Sequence, residues 1–330
     1  MRNPENIIRI CDDPALQRSF FDLSSEPNRL DGRMSSMGIS ARLSSISAKL
    51  GAMTDCASIK ALMTEMSMVI NEDCVEQILG EELDRFASTP LYSVGAKNFD
   101  SESFSGMVLF EDKEIRMSLV SIGPMALCIK KMRNAEDNKV AGVTIQGSDT
   151  LIRFIRSGAS VADFWAAQPF SPNEPLAERR MREQPSRNVV NGDIVFLKGG
   201  VDAMSIATCE QPILFVSVSR ISTRTSVNAH YLTNGELASC TASDMGASRV
   251  QILATLVREL GWKEGADTLI ELAGHSDHFV RWHVLRELTA LCPKTAYIHV
   301  SKAAADDPHP QVRDAALRTQ AMIEGVEACR

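Results

Sequence analysis

The residues best suited to bind a metal ion lie close together near the end of the chain. Five of the six histidines fall between residues 275 and 309, and His275, Asp277 and His278 share one four-residue stretch. Imidazole and carboxylate groups are suitable ligand types, so these three residues are the candidate metal ligands. Their spacing matches no recognised ligand motif, and helix capping or surface contacts explain such turn residues better. The sequence therefore predicts no metal site and no cofactor.

A second set of candidate residues lies in the middle of the chain, among short apolar segments. Arg153, Arg156, Trp165 and Asp202 could line a pocket there, because arginine binds carboxylate or phosphate groups through two parallel hydrogen bonds. These four are the candidate ligand-binding residues. The alternative is that Arg153 and Arg156 face solvent on an alternating strand.

No pattern typical of nucleophilic catalysis or nucleotide binding is present. The sequence contains no Gly-x-Gly-x-x-Gly and no P-loop, and residues 91–229 contain no histidine. Motifs of these kinds need their residue types at fixed spacings. We therefore assign no catalytic residue.

Composition indicates a globular chain of more than one domain. Its 330 residues are 44% hydrophobic and carry a formal net charge of -7. The length favours two domains, and the negative charge argues against nucleic-acid binding. The eight cysteines occur singly, as reduced thiols do in the cytosol. No stretch has the length and apolarity of a signal peptide or membrane span, so we expect a soluble, cytoplasmic protein.

Hydrophobic periodicity divides the chain into four segments. Residues 1–33 are polar and interrupted by prolines, which predicts an irregular arm, and residues 34–90 place apolar residues at helical spacing. Residues 91–235 contain eight short candidate strands, a number typical of a jelly-roll sandwich or barrel. Residues 248–326 return to helical spacing. The predicted fold class is α+β, with N-terminal helices, a central antiparallel jelly roll and C-terminal helices.

The candidate strands of the central segment are separated by Gly, Pro, Asn and Asp. The proline-rich stretch Ala167–Arg187 interrupts them and is predicted to be a long loop, or a short helix with a loop. In order, the predicted strands are Met107–Phe110, Ile115–Val120, Ala126–Lys130, Val143–Gln146, Leu151–Ile155, Asp193–Leu197, Ala203–Ala207 and Ile213–Val218.

Two blocks of the C-terminal segment align without gaps. GHSDHFVRWHVLREL and DDPHPQVRDAALRTQ place a Val-Arg pair at the same point, so that Arg281 recurs as Arg313 after 313 − 281 = 32 residues. A period of this size predicts stacked helical units. We expect the repeated arginine to reach carboxylates or carbonyls of the neighbouring turn. The stretch DDPHPQVRDAAL resembles the HEAT-repeat family, especially the short repeats of phycobilin lyases and deoxyhypusine hydroxylase.

This resemblance implies a short array that binds a partner protein. Two units match well and a third poorly, which is too few for a free-standing solenoid, so the β domain is expected to cap the array. Arg281, Trp282 and Arg313 are the candidate partner-binding residues. The hydroxylase holds iron through His-Glu pairs, and because this chain has no His-Glu dipeptide, that activity is not implied.

The stretch NGDIVFLKGGVDAMSIA, residues 191–207, resembles the second motif of the cupin family. In that motif a Gly-Asp turn precedes a strand, a glycine-containing turn and a metal-binding histidine. Asp202 stands at the position of the histidine, and the stretch Leu151–Pro169, where the first motif would lie, contains no histidine. Because metal-dependent cupin chemistry relies on imidazole ligands, the resemblance implies a metal-free cupin-like domain.

Two functions follow from these observations. The first is a non-catalytic regulatory or adaptor protein, whose cupin-like domain binds a small molecule or peptide and whose repeats dock a partner protein. The alternative is a cupin-superfamily enzyme with a site that uses no histidine, for which Asp202 beside Arg153 or Arg156 in a deep polar pocket would be the evidence. Copies of the chain could also associate through the helices of residues 1–90.

Overall fold

A computed structural model describes residues 29–88, 96–101, 103–136, 142–169 and 179–328, together with Pro14. Most of the predicted arm of residues 1–33 lies outside these ranges, and its last residues begin the first helix. Two of the helices that follow have side-chain caps, from Asp55 and Asn71. The Asp55 carboxylate accepts a hydrogen bond from the Ser58 amide at 2.8 Å, as an N-cap residue does. Between residues 29 and 88 the helices are α1 (Arg29–Ser36), α2 (Ile39–Gly51), α3 (Cys56–Val69) and α4 (Glu72–Ser88).

The central segment forms antiparallel sheets and includes one helix, α5 (Pro124–Glu136). β7 is a polar strand at the edge of its sheet among the described strands, a position in which a proline such as Pro185 is tolerated. The strands of the described ranges are β1 (Asn98–Asp100), β2 (Ser105–Glu111), β3 (Ile115–Ile122), β4 (Gly142–Ile145), β5 (Ser148–Arg156), β6 (Val161–Ala167), β7 (Met181–Asn188), β8 (Ile194–Leu197), β9 (Asp202–Thr208), β10 (Ile213–Thr223), β11 (Val227–Leu232) and β12 (Leu237–Ala242).

The strand order defines a jelly roll. One sheet runs β1-β2-β3-β10-β5-β8, a second runs β7-β6-β9, and a third runs β12-β11-β4. β4 lies beside β9, so that β4-β9-β6-β7 forms one layer opposite β3-β10-β5-β8. Eight antiparallel strands in two such four-stranded layers make a jelly roll. The predicted α+β class and its central jelly roll are therefore confirmed.

Strand β5 is buried on both faces and joins the N-terminal helices to the sandwich. Its side chains alternate, so Leu151 and Ile155 pack with the N-terminal helices, whereas Ile152 and Phe154 pack inside the sandwich. The helices of residues 34–90 therefore share one apolar core with the large sheet. They cover the sheet and do not form a separate domain.

Three predictions of local structure differ from the observed elements. The predicted strand Ala126–Lys130 lies within α5, which begins at Pro124, a residue favoured in the first helical turn. Within the predicted loop Ala167–Arg187, residues 170–178 lie outside the described ranges, and residues 181–187 belong to β7. The jelly-roll segment also continues through β12 to Ala242, beyond the predicted boundary at residue 235.

The C-terminal helices are arranged around one central helix. Helix α8 contacts each of the other four α-helices of this region, and its Val280, Val284 and Leu288 are fully buried. None of the helices in the described ranges is both long and apolar enough to span a membrane. The helices are α6 (Met245–Glu259), α7 (Ala266–Leu272), α8 (His278–Leu291), α9 (Pro293–Asp306) and α10 (Pro310–Ala328), with a 3-10 turn at Lys263–Gly265 before α7.

Candidate functional site

The repeated arginines join successive turns of the helical array. Arg281 forms a bidentate ion pair with Asp307, with distances of 2.9 Å from Nε to Oδ2 and 2.7 Å from Nη2 to Oδ1. Its Nη1 donates to the carbonyls of His275 and Ser276 at 3.0 and 2.9 Å. Arg313 donates in the same way to the carbonyl of Asp307 at 2.6 Å. The expected contacts of the repeated arginine with neighbouring turns are therefore present.

These contacts change the role that can be assigned to Arg281. Both Arg281 and Asp307 are buried, so the guanidinium of Arg281 is engaged inside the array and is not displayed to a partner. Burial alone would raise the pKa of Asp307, but hydrogen bonds from Arg281 and from the His309 amide outweigh burial and lower that pKa. The pair is ionised at neutral pH and links two repeats.

The histidines of the array organise its turns. The Asp277 amide donates to Nδ1 of His275 at 3.0 Å. The rings of His278 and His309 stack, with centroids 3.6 Å apart and planes 5° from parallel. Within the described residues, no three His, Cys, Asp or Glu side chains are grouped closely enough to hold a metal ion. The candidate ligands His275, Asp277 and His278 are thus used in local contacts.

A cleft lies where the helical array meets the third sheet. Its volume is about 570 Å³, within the range of about 300–1,000 Å³ typical of ligand pockets. Helices α6, α8 and α10 form one side and strands β11 and β12 the other. We call it the junction cleft. Its lining residues are Val227, Cys240, Thr241, Ala242, Ser248, Gln251, Ile252, His278, Phe279, Trp282, Gln311 and Val312.

The described lining of the junction cleft is uncharged at neutral pH. It contains no Asp, Glu, Lys or Arg. Burial, followed by the nearby His309 and Arg281, lowers the pKa of His278 to about 4, so its imidazole is neutral. Burial also raises the pKa of the Cys240 thiol, against a smaller opposing effect of Arg179. The cleft therefore offers apolar and neutral hydrogen-bonding groups only.

Trp282 is the one candidate partner-binding residue that lines this cleft. It is half-buried and also packs against the core of the last two repeats. The sequence did not single out Phe279, although His278, Phe279 and Trp282 share one face of the first turns of α8 at helical spacing. The strand residues of the cleft could not be found this way, because their position beside the array depends on contacts between domains.

A smaller pocket of about 350 Å³ opens between edge strands β7 and β8 of the jelly roll. Two of the four candidate ligand-binding residues, Trp165 and Asp202, are among its lining residues. Oδ2 of Asp202 accepts a hydrogen bond from the Lys198 amide at 3.0 Å, which closes the turn between β8 and β9. The guanidinium of Arg187 lies over the ring of Phe164 at 5.1 Å, and both residues belong to the same pocket. We call it the barrel pocket.

The two candidate arginines of β5 lie away from the barrel pocket. Arg153 is buried on the helix side of β5, where Nε donates to the carbonyl of Ser67 at 3.0 Å and Nη2 donates to that of Ile70. Arg156 is exposed and forms ion pairs with Glu76 at 3.1 Å and Glu72 at 3.7 Å. The alternation of β5 turns Arg153 out of the sandwich, so the expected pairing of either arginine with Asp202 does not form.

Comparison with known families identifies the C-terminal region. Residues 239–321 match the family of HEAT repeats, which confirms the resemblance of the repeated blocks. The matched segment begins in β12 and ends within α10. The helices of the array are therefore similar to HEAT repeats over these residues.

Among solved structures, the chain is similar to several cupins. An RmlC-like cupin from Shewanella frigidimarina matches with 9% identity and a TM-score of 0.24, over 38% of this chain and 83% of that one. A cupin domain from Bordetella pertussis matches with 9% identity and a TM-score of 0.23, over 37% and 97%. Ectoine synthase from P. lautus matches with 8% identity and a TM-score of 0.23, over 37% and 67%. No curated protein matches the sequence.

Proposed function

We propose that the chain is a non-catalytic regulatory or adaptor protein. The HEAT repeats and the adjoining sheet bind a partner protein in the junction cleft, and the jelly roll binds a small molecule or peptide. The observation that carries this proposal is the cleft itself, which is uncharged and largely apolar. Its walls come from both the array and the jelly-roll segment.

The chemistry of the cleft selects an apolar segment of a partner. Trp282 and Phe279 present aromatic surface, and an aromatic side chain buries about 150–250 Å² when it is covered. Buried aromatic residues dominate the energy of many interfaces. A charged segment would lose its hydration without gaining a counter-charge. Gln251 and Gln311 at the cleft supply the neutral hydrogen-bonding groups that orient a bound backbone.

We propose that the small molecule or peptide of the jelly roll binds in the barrel pocket. Trp165 and Phe164 offer apolar walls, and Asp202 and Arg187 offer one group of each charge. A zwitterionic or amide-containing ligand fits such a pair better than a simple anion. This pocket is separate from the junction cleft, so the two binding events can be tested separately.

The partner-binding part is tested with the full chain as bait for affinity purification. We expect Gln311→Glu, which places a charge in the cleft at constant size, to weaken partner binding roughly 30-fold, as loss of about 2 kcal/mol implies. Phe86→Ala removes a 68% exposed aromatic ring from α4, far from the cleft, and should bind the partner normally. Quantitative mass spectrometry of the retained proteins measures the difference. If Gln311→Glu retained the partner as well as the wild type does, the partner would not bind in the cleft.

The alternative function is a cupin-superfamily enzyme with a site that uses no histidine. Asp202 lies in the barrel pocket without Arg153 or Arg156, so the arrangement expected for that site is not formed. Elemental analysis of the purified full chain tests the alternative. The adaptor proposal expects no stoichiometric Fe, Mn or Zn. A stoichiometric metal that Asp202→Asn removes would favour the enzyme and contradict the adaptor.

A further inference from the structure

Helix α6 is apolar on two opposite faces. Its inner face, which includes the buried Ala247 and Ala254, packs in the core of the array against α8. At about 100° per residue, the opposite side carries Ile252, Leu256 and Leu260, which are 60%, 47% and 77% exposed. We call this side the outer face of α6. It comprises Met245, Arg249, Ile252, Leu253, Leu256 and Glu259 of α6, together with Leu260 directly after the helix.

The outer face is unusual for the end of a repeat array. Terminal repeats normally carry a polar outer surface because no neighbouring unit covers them. α6 is the first repeat helix in the described part of the chain, yet its outer face has the apolar character of an internal helix. A helix that is apolar all round is normally buried all round. Among the described residues, the jelly-roll segment meets α6 through β12 and leaves the outer face exposed.

We infer that the outer face of α6 binds the same face of a second copy of the chain, with the two helices antiparallel. The antiparallel orientation is argued from the order of charges along the helix. Arg249 and Glu259 are both exposed and lie equally far from Ala254, since 254 − 249 = 5 and 259 − 254 = 5. Oε1 of Glu259 also pairs with Arg258 of its own helix at 2.5 Å, so Arg249 of the second copy would share this carboxylate. A twofold axis level with Ala254 therefore sets Arg249 of each copy beside Glu259 of the other.

The same axis also matches the apolar side chains. Ile252 lies two residues before Ala254 and Leu256 two residues after it, so each packs against the other across the axis. A parallel pair would instead place like charges side by side, which is unfavourable. Twofold pairing uses one surface patch on both copies, as most homodimers do. It also completes the stack, because each α6 becomes the neighbouring repeat that the other lacks.

The size of this surface sets the expected affinity. α6 has 15 residues and is therefore about 22 Å long, so a single helix pair lies at the small end of stable interfaces, which bury about 800 Å² per partner. We expect a dimer that forms in the micromolar range. The outer face is distinct from the junction cleft except at Ile252, which borders both, and Ile252 is therefore left unchanged in the test.

Sedimentation velocity of the full chain over about 1–100 µM, a range that brackets micromolar affinity, is expected to show a monomer–dimer equilibrium. Leu256→Asp should weaken the dimer at least ~100-fold, because it buries two unpaired carboxylates at the centre of the pairing. Ile298→Asp is the matched control. Ile298 is a 69% exposed apolar residue on α9, outside the outer face, and its substitution should leave the dimer unchanged. Circular dichroism checks that each variant is folded.

A charge exchange tests the antiparallel register. Arg249→Glu and Glu259→Arg should each weaken the dimer about tenfold through like-charge repulsion, and the double variant should return to within about threefold of the wild type. Failure of the double variant to recover would overturn the register. A chain that stays monomeric throughout, a dimer untouched by Leu256→Asp, or head-to-tail polymers that grow with concentration would overturn the inference. These outcomes leave the junction cleft proposal unaffected.

Discussion

Replacement of Arg281 by alanine is expected to lower the free energy of unfolding of the repeat region by about 3–5 kcal/mol, the usual loss when one partner of a buried ion pair is removed. The Asp307 carboxylate would remain buried, with the His309 amide at 2.8 Å as its remaining hydrogen-bond donor. The carbonyls of His275 and Ser276 would also lose their donor. Urea unfolding followed by tryptophan fluorescence measures the change, because Trp282 packs in this core.

Arg313 supplies the matched control, since it occupies the equivalent position of the next repeat. Its hydrogen bond reaches the carbonyl of Asp307, and no carboxylate among the described residues pairs with it. Arg313→Ala should therefore cost only about 1 kcal/mol, the net value of a single hydrogen bond. The double variant Arg281→Met, Asp307→Leu should lose less than Arg281→Ala, because it leaves no buried charge. Equal losses for Arg281→Ala and Arg313→Ala would contradict a special role for the ion pair.

The stability of the repeats at acid pH should depend on the same ion pair, Arg281 and Asp307. The pKa of Asp307 is lowered in the folded chain, so its contribution is present above the unfolded pKa of about 4 and is lost as pH falls further. The pKa of His278 is lowered from 6.5 to about 4, so its contribution is lost earlier, as pH falls from 6.5 towards 4. Melting temperatures from pH 7 to pH 3 should show both steps. Arg281→Ala should flatten the lower step. His278→Gln should reduce the upper step without abolishing it, because burial also lowers the pKa of His283.

The repeat contacts could be predicted from sequence because they are local and recur. Arg281 and Arg313 occupy the same position in two aligned blocks, and each donates to a carbonyl six residues earlier, in its own turn. The partner carboxylate of Arg281 lies one repeat further on, at Asp307. A repeating pattern therefore predicted both the motif and its contacts. The repeat did not predict that only Arg281 of these two arginines would also pair with a carboxylate, that of Asp307.

The position of Arg153 could not be predicted by the same reasoning. Alternation along β5 offered two positions for its side chain, the barrel or solvent, and the structure shows a third, beneath α3. The signal was the apolar residues on both sides of Arg153, since a strand that is apolar without alternation is covered on both faces. These residues are Leu151, Ile152, Phe154 and Ile155. Which element covers the second face is decided by long-range packing. The junction cleft could not be predicted for the same reason. Its two walls are separated in sequence and meet only in the folded chain.

Arg153→Met is expected to loosen the N-terminal helices and to lower the free energy of unfolding by about 1–3 kcal/mol. The guanidinium is buried, and burial lowers the pKa of Arg153, yet arginine stays charged at every accessible pH. Its donors reach the carbonyls of Ser67 and Ile70 at the end of α3, where the helix dipole is negative. Methionine fills the space but leaves those carbonyls without a donor, so Arg153→Lys, which keeps one donor, should fall between methionine and wild type.

Arg156 is the control on the same strand, because it is exposed and its partners are the surface carboxylates Glu72 and Glu76. Arg156→Met should change the free energy of unfolding by less than about 1 kcal/mol. Hydrogen exchange separates local from global effects, since Arg153→Met should speed exchange in α3 and leave α8 unchanged. Equal stability of Arg153→Met and wild type would mean that the desolvation cost of the guanidinium cancels its hydrogen bonds. Apolar packing alone would then hold the N-terminal helices against β5.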